Sequence, residues 1–174
     1  MHEVLPLLNL PSRFALLAVA LQCFGYPAHA VDGVASPYLA TESTLIEHDA
    51  ISGDRSIEML EDGVRFAKAL ENMRRDQKTS LQAQQLARHH RNVLVRVVRE
   101  EGVVEDLTCG LRLCMGSVTS PSQSSHDVWN RRLVNDPAAR RYGAVHRVEP
   151  LGDQYQHRFV FSADPAVAAI FMRE

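Results

Sequence analysis

The chain has 174 residues, of which 45% are hydrophobic and 23% charged, and its formal net charge is −2. A chain of this size and composition can bury one hydrophobic core, which excludes collagen-like, coiled-coil and wholly disordered proteins. With 19 basic residues against 21 acidic ones, it has no excess positive charge to hold nucleic acid or an anionic membrane. We therefore expect a globular protein that binds neither.

The N-terminal region has the features of a secretory signal peptide. An apolar stretch covers residues 14–24, which is too short to span a bilayer as a helix, and Arg13 precedes it. Ala28 and Ala30 are small residues at the two positions that a signal peptidase recognises, so we predict cleavage after Ala30. A retained membrane anchor or a buried N-terminal helix is the alternative.

The rest of the chain predicts a short leader followed by one domain. Residues 31–55 are rich in small and turn-forming residues without a clear period, which predicts a flexible leader. Residues 56–174 show helix and strand periods and form the predicted single domain. No later stretch reaches 18 apolar residues, so we expect no membrane span in the mature chain. Arginine outnumbers lysine 17 to 2, which indicates a GC-rich bacterial genome and favours a periplasmic or secreted location.

The predicted elements alternate between helices and hairpins. Apolar residues at three- and four-residue steps predict helices over residues 56–75 and 80–101, the second ending at Gly102. Further predicted elements are strands 103–109 and 114–119, a helix over 127–135, strands 144–149 and 155–161, and a helix after Asp164. We expect an α+β fold, in which a small antiparallel sheet of two hairpins packs against two long N-terminal helices and a C-terminal helix.

Two cysteines remain once Cys23 has left with the signal peptide. An even pair in an oxidising compartment predicts a disulfide between Cys109 and Cys114. Opposed Cβ atoms of an antiparallel hairpin lie about 4.5–5.5 Å apart, slightly more than a disulfide needs. The same register places Glu105 opposite Val118. Catalytic thiol pairs typically use C-x-x-C at a helix N-terminus, so we favour a structural role.

A resemblance supports both export and the disulfide. Residues 86–118 form an amphipathic helix that ends in RVVREEG and is followed by VVEDLTCGLRLCMGSV. This segment resembles a type of exported proteobacterial protein in which a helix leads into a strand, a C-x4-C turn and a second strand. The resemblance rests on Cys109, Cys114 and the hydrophobic spacing. It implies export and a disulfide, and it implies no particular activity.

The histidines give the only candidate for a polar site. None of them forms an H-x-x-x-H or H-E-x-x-H pair, so we expect no metal and no cofactor. In the second hairpin, His146 is predicted opposite Phe159 and His157 opposite Val148, so the two imidazoles share one face of the sheet. A small hydrolase or transferase that uses these two histidines or His126 is the enzymatic alternative.

The sequence contains no catalytic motif, and this favours a non-enzymatic protein. We expect an exported interaction module of the cell envelope whose partner is another envelope or secreted protein. Aromatic and arginine side chains favour interfaces, so we predict contacts through Arg112, Trp129, Arg131 and Arg132. The doublet at residues 140–141 fits either an anionic partner or a solvated surface. A thiol–disulfide protein and a toxin inhibitor remain open as further alternatives.

Overall fold

The computed structural model describes residues 36–173, which form five α-helices and seven β-strands. The predicted signal peptide, residues 1–30, lies outside the described residues. The helices are α1 (Ala40–Ser43), α2 (Gly53–Glu61), α3 (Gly63–Lys78), α4 (Leu81–Val98) and α5 (Gln123–Asn135). The strands are β1 (Ile46–Glu47), β2 (Ala50–Ser52), β3 (Val103–Cys109), β4 (Leu113–Ser120), β5 (Ala144–Leu151), β6 (Gln154–Ser162) and β7 (Ile170–Phe171). None of these helices combines the length and hydropathy needed to span a bilayer.

The strands form two sheets, so the fold is α+β but not the predicted single sheet. The larger sheet is antiparallel with the strand order β3-β4-β6-β5, and the smaller sheet has the order β1-β2-β7. In the smaller sheet, β2 pairs with β1 in antiparallel fashion and with β7 in parallel fashion. The expected architecture, one small sheet with three helices packed on it, is therefore wrong.

The predicted C-terminal helix is also wrong. A single 3₁₀ turn, Pro165–Val167, is followed by strand β7, which pairs with Ile51 and Ser52 of β2. Val167, Ile170 and Phe171 have the spacing of a helical stripe, but Ile170 and Phe171 have side chains that also favour strands. A partner strand more than a hundred residues earlier in the chain decides between the two, and local periodicity does not reveal it.

The flexible leader predicted over residues 31–55 is wrong for residues 40–55. This segment forms α1, β1, β2 and the start of α2, and it buries Glu42, Leu45 and Ile51. The segment shows no clear period because its buried apolar residues form two short pairs, Leu45–Ile46 and Ala50–Ile51, with polar residues between them. Its order comes from distant partners, namely β7 and the turn between β3 and β4.

The first long helix is interrupted at Asp62. Its carboxylate accepts hydrogen bonds from the backbone N–H groups of Val64 (2.8 Å) and Arg65 (3.1 Å), which caps the start of α3. This cap separates α2 from α3 within the predicted single helix over residues 56–75. Ser80 caps the start of α4, since its hydroxyl accepts a hydrogen bond from the N–H of Ala83.

Helices cover both faces of the larger sheet at its two inner strands, β4 and β6. All eight residues of β4 are buried. One face packs on α4 and α5 through Cys114, Val118, Phe159 and Phe161, and the other packs on α2 and α3 through Leu113, Met115 and Val160. This division follows from the two-residue period of a strand, which sends alternate side chains to opposite faces. The α4–α5 face carries the histidines.

Candidate functional site

The larger sheet and α5 bring three histidines into contact. The predicted register of the second hairpin is confirmed, because His146 pairs with Phe159 and His157 with Val148. The ring centroids of His146 and His157 lie 5.2 Å apart. His126, on α5, lies beside them, with its Nε2 atom 3.2 Å from Nδ1 of His157. The structure thus joins all three histidines that the enzymatic alternative considered.

A short hydrogen-bond chain ends at His157. The Asp127 carboxylate can only accept, so the Nδ1 atom of His126, 3.1 Å from Asp127 Oδ1, donates to it. When His126 is neutral, its Nε2 accepts a hydrogen bond from Nδ1 of His157, which leaves a lone pair on Nε2 of His157. Within residues 36–173, this Nε2 atom is buried and has no hydrogen-bond partner.

Trp129 packs inside this cluster and is not an interaction surface. Its side chain is fully buried, it stacks on His157 with ring centroids 5.3 Å apart, and its indole N–H donates to the Ser120 hydroxyl at 2.9 Å. The prediction of an exposed contact patch around Trp129 is therefore wrong. The helical period carried a signal for this burial, because His126, Trp129 and Leu133, the buried residues of α5, recur at three- and four-residue steps on one helix face.

The predicted contact arginines have different environments. Arg131 is exposed, whereas Arg132 is partly buried and lies 3.6 Å from the Glu101 carboxylate. Arg112 is partly buried in a 2.6 Å ion pair with Asp164. Because Trp129 is buried, the three arginines do not share an exposed contact surface with it.

A cleft of about 340 Å³ opens beside the histidines, and we call it the histidine cleft. Its lining residues are Asn130, Val134, Ala139, Arg141, Tyr142, Gly143, Ala144, His146, His157 and Phe159. Apolar side chains supply part of the wall, and Asn130, Arg141, Tyr142 and His146 supply polar groups. No lining residue carries a carboxylate. A mixed lining of this kind is typical of small-ligand sites.

Arg141 is the unusual residue of the histidine cleft. It is partly buried, and loss of solvent is the physical cause that lowers the pKa of its guanidinium. No carboxylate in the described part of the chain lies within ion-pair distance of it. The sequence signal was the doublet at residues 140–141, which did not indicate which of the two arginines turns inward.

Loss of solvent lowers the pKa of His90, His146 and His157 on this face of the sheet. Loss of solvent, with smaller contributions from His126, His146 and Arg141, lowers the pKa of His157 to about 3. Burial is also the largest cause that lowers the pKa of His146, and it lowers the pKa of His90 to about 4. At neutral pH these three imidazoles are therefore neutral, and the positive charge of the cleft is that of Arg141.

The turn between β3 and β4 forms a second polar feature. Cys109 and Cys114 form a disulfide with an S–S distance of 2.05 Å, as predicted, and they pair across the hairpin. The expected pairing of Glu105 with Val118 is wrong, because a bulge shifts the register and Val104 takes that place. The extra residue is a β-bulge, which the alternation of residue types does not indicate.

Residues 110–113, here called the cystine loop, enclose the carboxylate of Glu42. This side chain is 0% exposed, and it accepts hydrogen bonds from the backbone N–H groups of Leu39, Leu111, Arg112 and Leu113, at 2.5–3.2 Å. A Cβ atom at Gly110 would lie 2.6 Å from Cδ of Glu42, so the close approach requires glycine there. Glu42 was missed because it lies in the segment predicted to be flexible.

Neither metal-ligand geometry nor similarity to known proteins assigns a function to these residues. Among residues 36–173, no three His, Cys, Asp or Glu side chains are grouped so that they could hold a metal ion. No protein-family model, curated protein or solved structure matches this chain. The resemblance to exported proteobacterial proteins therefore stays a prediction from residues 86–118.

Proposed function

We propose that this protein is an exported, non-catalytic binding module of the bacterial cell envelope, and that it holds its partner at the histidine cleft. The observation that carries this proposal is the environment of Arg141, a partly buried cation that has no carboxylate partner among residues 36–173 and lies in a cleft whose lining contains no acidic residue. The disulfide supports export, because disulfides persist in oxidising compartments. The predicted signal peptide supports the same location.

The position of His157 argues against the hydrolase or transferase alternative. Asp127, His126 and His157 have the order of a proton relay, and this geometry is the specific feature that favours catalysis. A catalytic base must approach the reacting proton to about 2.6–3.2 Å, directly or through one water. The free nitrogen of His157 is buried, so a substrate in the cleft does not reach it without rearrangement. We therefore favour binding without chemistry.

Burial of the disulfide argues against a thiol–disulfide protein in the same way. Cys109 and Cys114 are both 0% exposed. Exchange requires a thiolate to approach one of the two sulfur atoms, so a covered disulfide reacts slowly. A structural disulfide is the simpler interpretation.

Mass spectrometry of the mature protein tests whether the chain is exported. The full-length chain is expressed in a proteobacterial host, and the envelope fraction is analysed before and after thiol alkylation. We expect a polypeptide that begins at Val31 and has no alkylatable thiol at Cys109 or Cys114. A cytosolic chain that keeps Met1 and has two alkylatable thiols would contradict export.

A partner-capture experiment with matched arginine variants tests the binding half. Envelope extract is passed over immobilised wild-type protein, Arg141→Met and Arg140→Met, because Arg140 is the exposed neighbour of Arg141. We expect a partner that is retained by wild type and Arg140→Met and is lost with Arg141→Met. Equal recovery by all three proteins would exclude the cleft as the binding site.

Activity assays with p-nitrophenyl acetate and p-nitrophenyl phosphate separate binding from catalysis. Wild type is compared with His157→Asn. We expect both proteins to match the buffer blank. Turnover by wild type that His157→Asn abolishes would contradict the non-catalytic proposal and favour the histidine enzyme.

A further inference from the structure

We infer that the histidine cleft is an oxyanion site, in which Arg141 binds a carboxylate or phosphate group of the ligand. This inference rests on the proposed function, because it names the chemistry of the ligand held at the same cleft. It goes further because it predicts binding of free anions, without any partner protein. The other partly buried arginines of the described residues show what distinguishes Arg141.

Four arginines are partly buried among residues 36–173. Three of them have a carboxylate partner: Arg112 pairs with Asp164, Arg132 with Glu101 and Arg158 with Glu149. Arg158 is the most covered of these, with 11% of its side chain exposed, and it also donates to the backbone oxygen of Leu60. Within residues 36–173, every partly buried arginine except Arg141 therefore has an acidic partner.

The missing partner has an energetic consequence. A guanidinium has five N–H donors and cannot lose its proton at physiological pH, so partial loss of water without protein acceptors to replace it is unfavourable. Desolvation is the only cause that shifts the pKa of Arg141, and no nearby acid opposes it. An external oxyanion would supply the missing acceptors and could be bound through two parallel hydrogen bonds.

The surroundings of Arg141 suit an anion. Asn130, Tyr142 and His146 line the same cleft and can donate hydrogen bonds to oxygen atoms. The lining contains no carboxylate that would repel a negative ligand. Apolar walls from Val134, Ala139 and Phe159 reduce the local dielectric constant, which strengthens the attraction between the guanidinium and an anion.

The chain contains its own reporter for this site. Trp129 is the only tryptophan, and it stacks on His157, which lines the cleft. An anion in the cleft changes the electric field at the indole, so we expect a change of fluorescence. The full chain with its disulfide intact is titrated with sodium phosphate and, separately, with sodium acetate. Sodium chloride at matched ionic strength is the control.

Variants identify the side chain responsible. We expect saturable titrations with wild type and with Arg140→Met, and binding about tenfold or more weaker with Arg141→Met, because a charged hydrogen bond is lost. Arg141→Lys keeps the charge but not the two parallel donors, and we expect intermediate affinity. Circular dichroism establishes that each variant is folded. If Arg141→Met does not fold, Arg141→Lys carries the comparison.

The outcomes distinguish the ligand class from the proposed function. Saturation by phosphate alone indicates a phosphorylated ligand, and saturation by acetate as well indicates a carboxylate; both support an oxyanion site. Equal anion affinity in wild type and Arg141→Met would overturn the inference, and so would no saturable signal with either anion. If anions fail to bind while partner capture still depends on Arg141, the inference fails and the proposed function stands.

Discussion

The cystine loop and the histidine cleft each contain a charged side chain with reduced access to water, which is fully buried in the first region and partly buried in the second. The two regions differ in the partners that they give this charge. In the cystine loop, the Glu42 carboxylate is fully buried and accepts four backbone hydrogen bonds. In the histidine cleft, the Arg141 guanidinium loses solvent without gaining an acid among the described residues. A buried charge with all its partners stabilises the fold, whereas one without partners is available to a ligand.

The same contrast extends to the neighbouring groups. The cystine loop is held to α1 by Glu42 and closed by the disulfide, so its polar atoms are occupied within the protein. Beside the cleft, the Nε2 atom of His157 is buried without a partner in the described range. The first region therefore serves structure, and we propose binding for the second.

The largest expected effect is the loss of folding stability on substitution of Glu42. Glu42→Ala leaves four backbone N–H groups without their acceptor, three of them in the cystine loop. We expect the free energy of unfolding in urea to fall by about 3–5 kcal/mol. Glu105→Ala is the matched control, because Glu105 is exposed and should change stability by less than about 0.5 kcal/mol. Equal stability of the two variants would show that the cystine loop does not depend on Glu42.

The disulfide is expected to contribute less than Glu42. Its two cysteines are separated by only five positions, and a loop this short gives about 2 kcal/mol by the loop-entropy model. We therefore expect the double variant Cys109→Ala/Cys114→Ala to keep its fold, with a loss of stability smaller than that of Glu42→Ala. Urea unfolding of both variants ranks the two contributions. A double variant that does not fold would show that the disulfide, and not Glu42, is the main stabiliser of the cystine loop.

The low pKa values of His157 and His90 predict that the stability of the fold depends on pH. His157 and His90 have pKa values of about 3 and 4 in the folded protein, against 6.5 when exposed. Between these values the unfolded chain binds more protons, so stability is complete above pH 6.5 and falls as the pH decreases. Each histidine contributes a slope of up to about 1.4 kcal/mol per pH unit.

Urea unfolding at a series of pH values below 6.5 measures the slope of the free energy of unfolding against pH. His90→Leu should reduce it, because one buried imidazole that resists protonation is removed, while Glu105→Ala should leave it unchanged. Stability that does not change between pH 6.5 and mildly acidic conditions would mean that water reaches both imidazoles in the folded protein.

Local patterns were sufficient for the parts of the fold that depend on near neighbours. The disulfide and the pairing of His146 with Phe159 follow from two short hairpins, whose registers are set by their turns. The order of residues 40–55 was not predictable, because it depends on β7 and on the Glu42 carboxylate, whose partners lie about 70 positions away. Contacts at such separations leave no local period.

The candidate site was predictable only in part. His146 and His157 were identified from strand register, but His126 joins them through the packing of α5, which no spacing predicts. Trp129 was assigned to a surface and is buried, because residue type alone does not distinguish an interface from a core. Arg141 differs from Arg140 only in the direction that an irregular segment gives it.

The stability of Arg141→Met, compared with Arg140→Met in urea, tests the central claim most directly. If Arg141 is a ligand-binding cation without an internal partner, its removal eliminates a desolvation cost. We then expect Arg141→Met to be at least as stable as Arg140→Met, although it no longer binds phosphate or acetate. A loss of about 2 kcal/mol or more relative to Arg140→Met would contradict it, because Arg141 would then be a structural charge like Glu42.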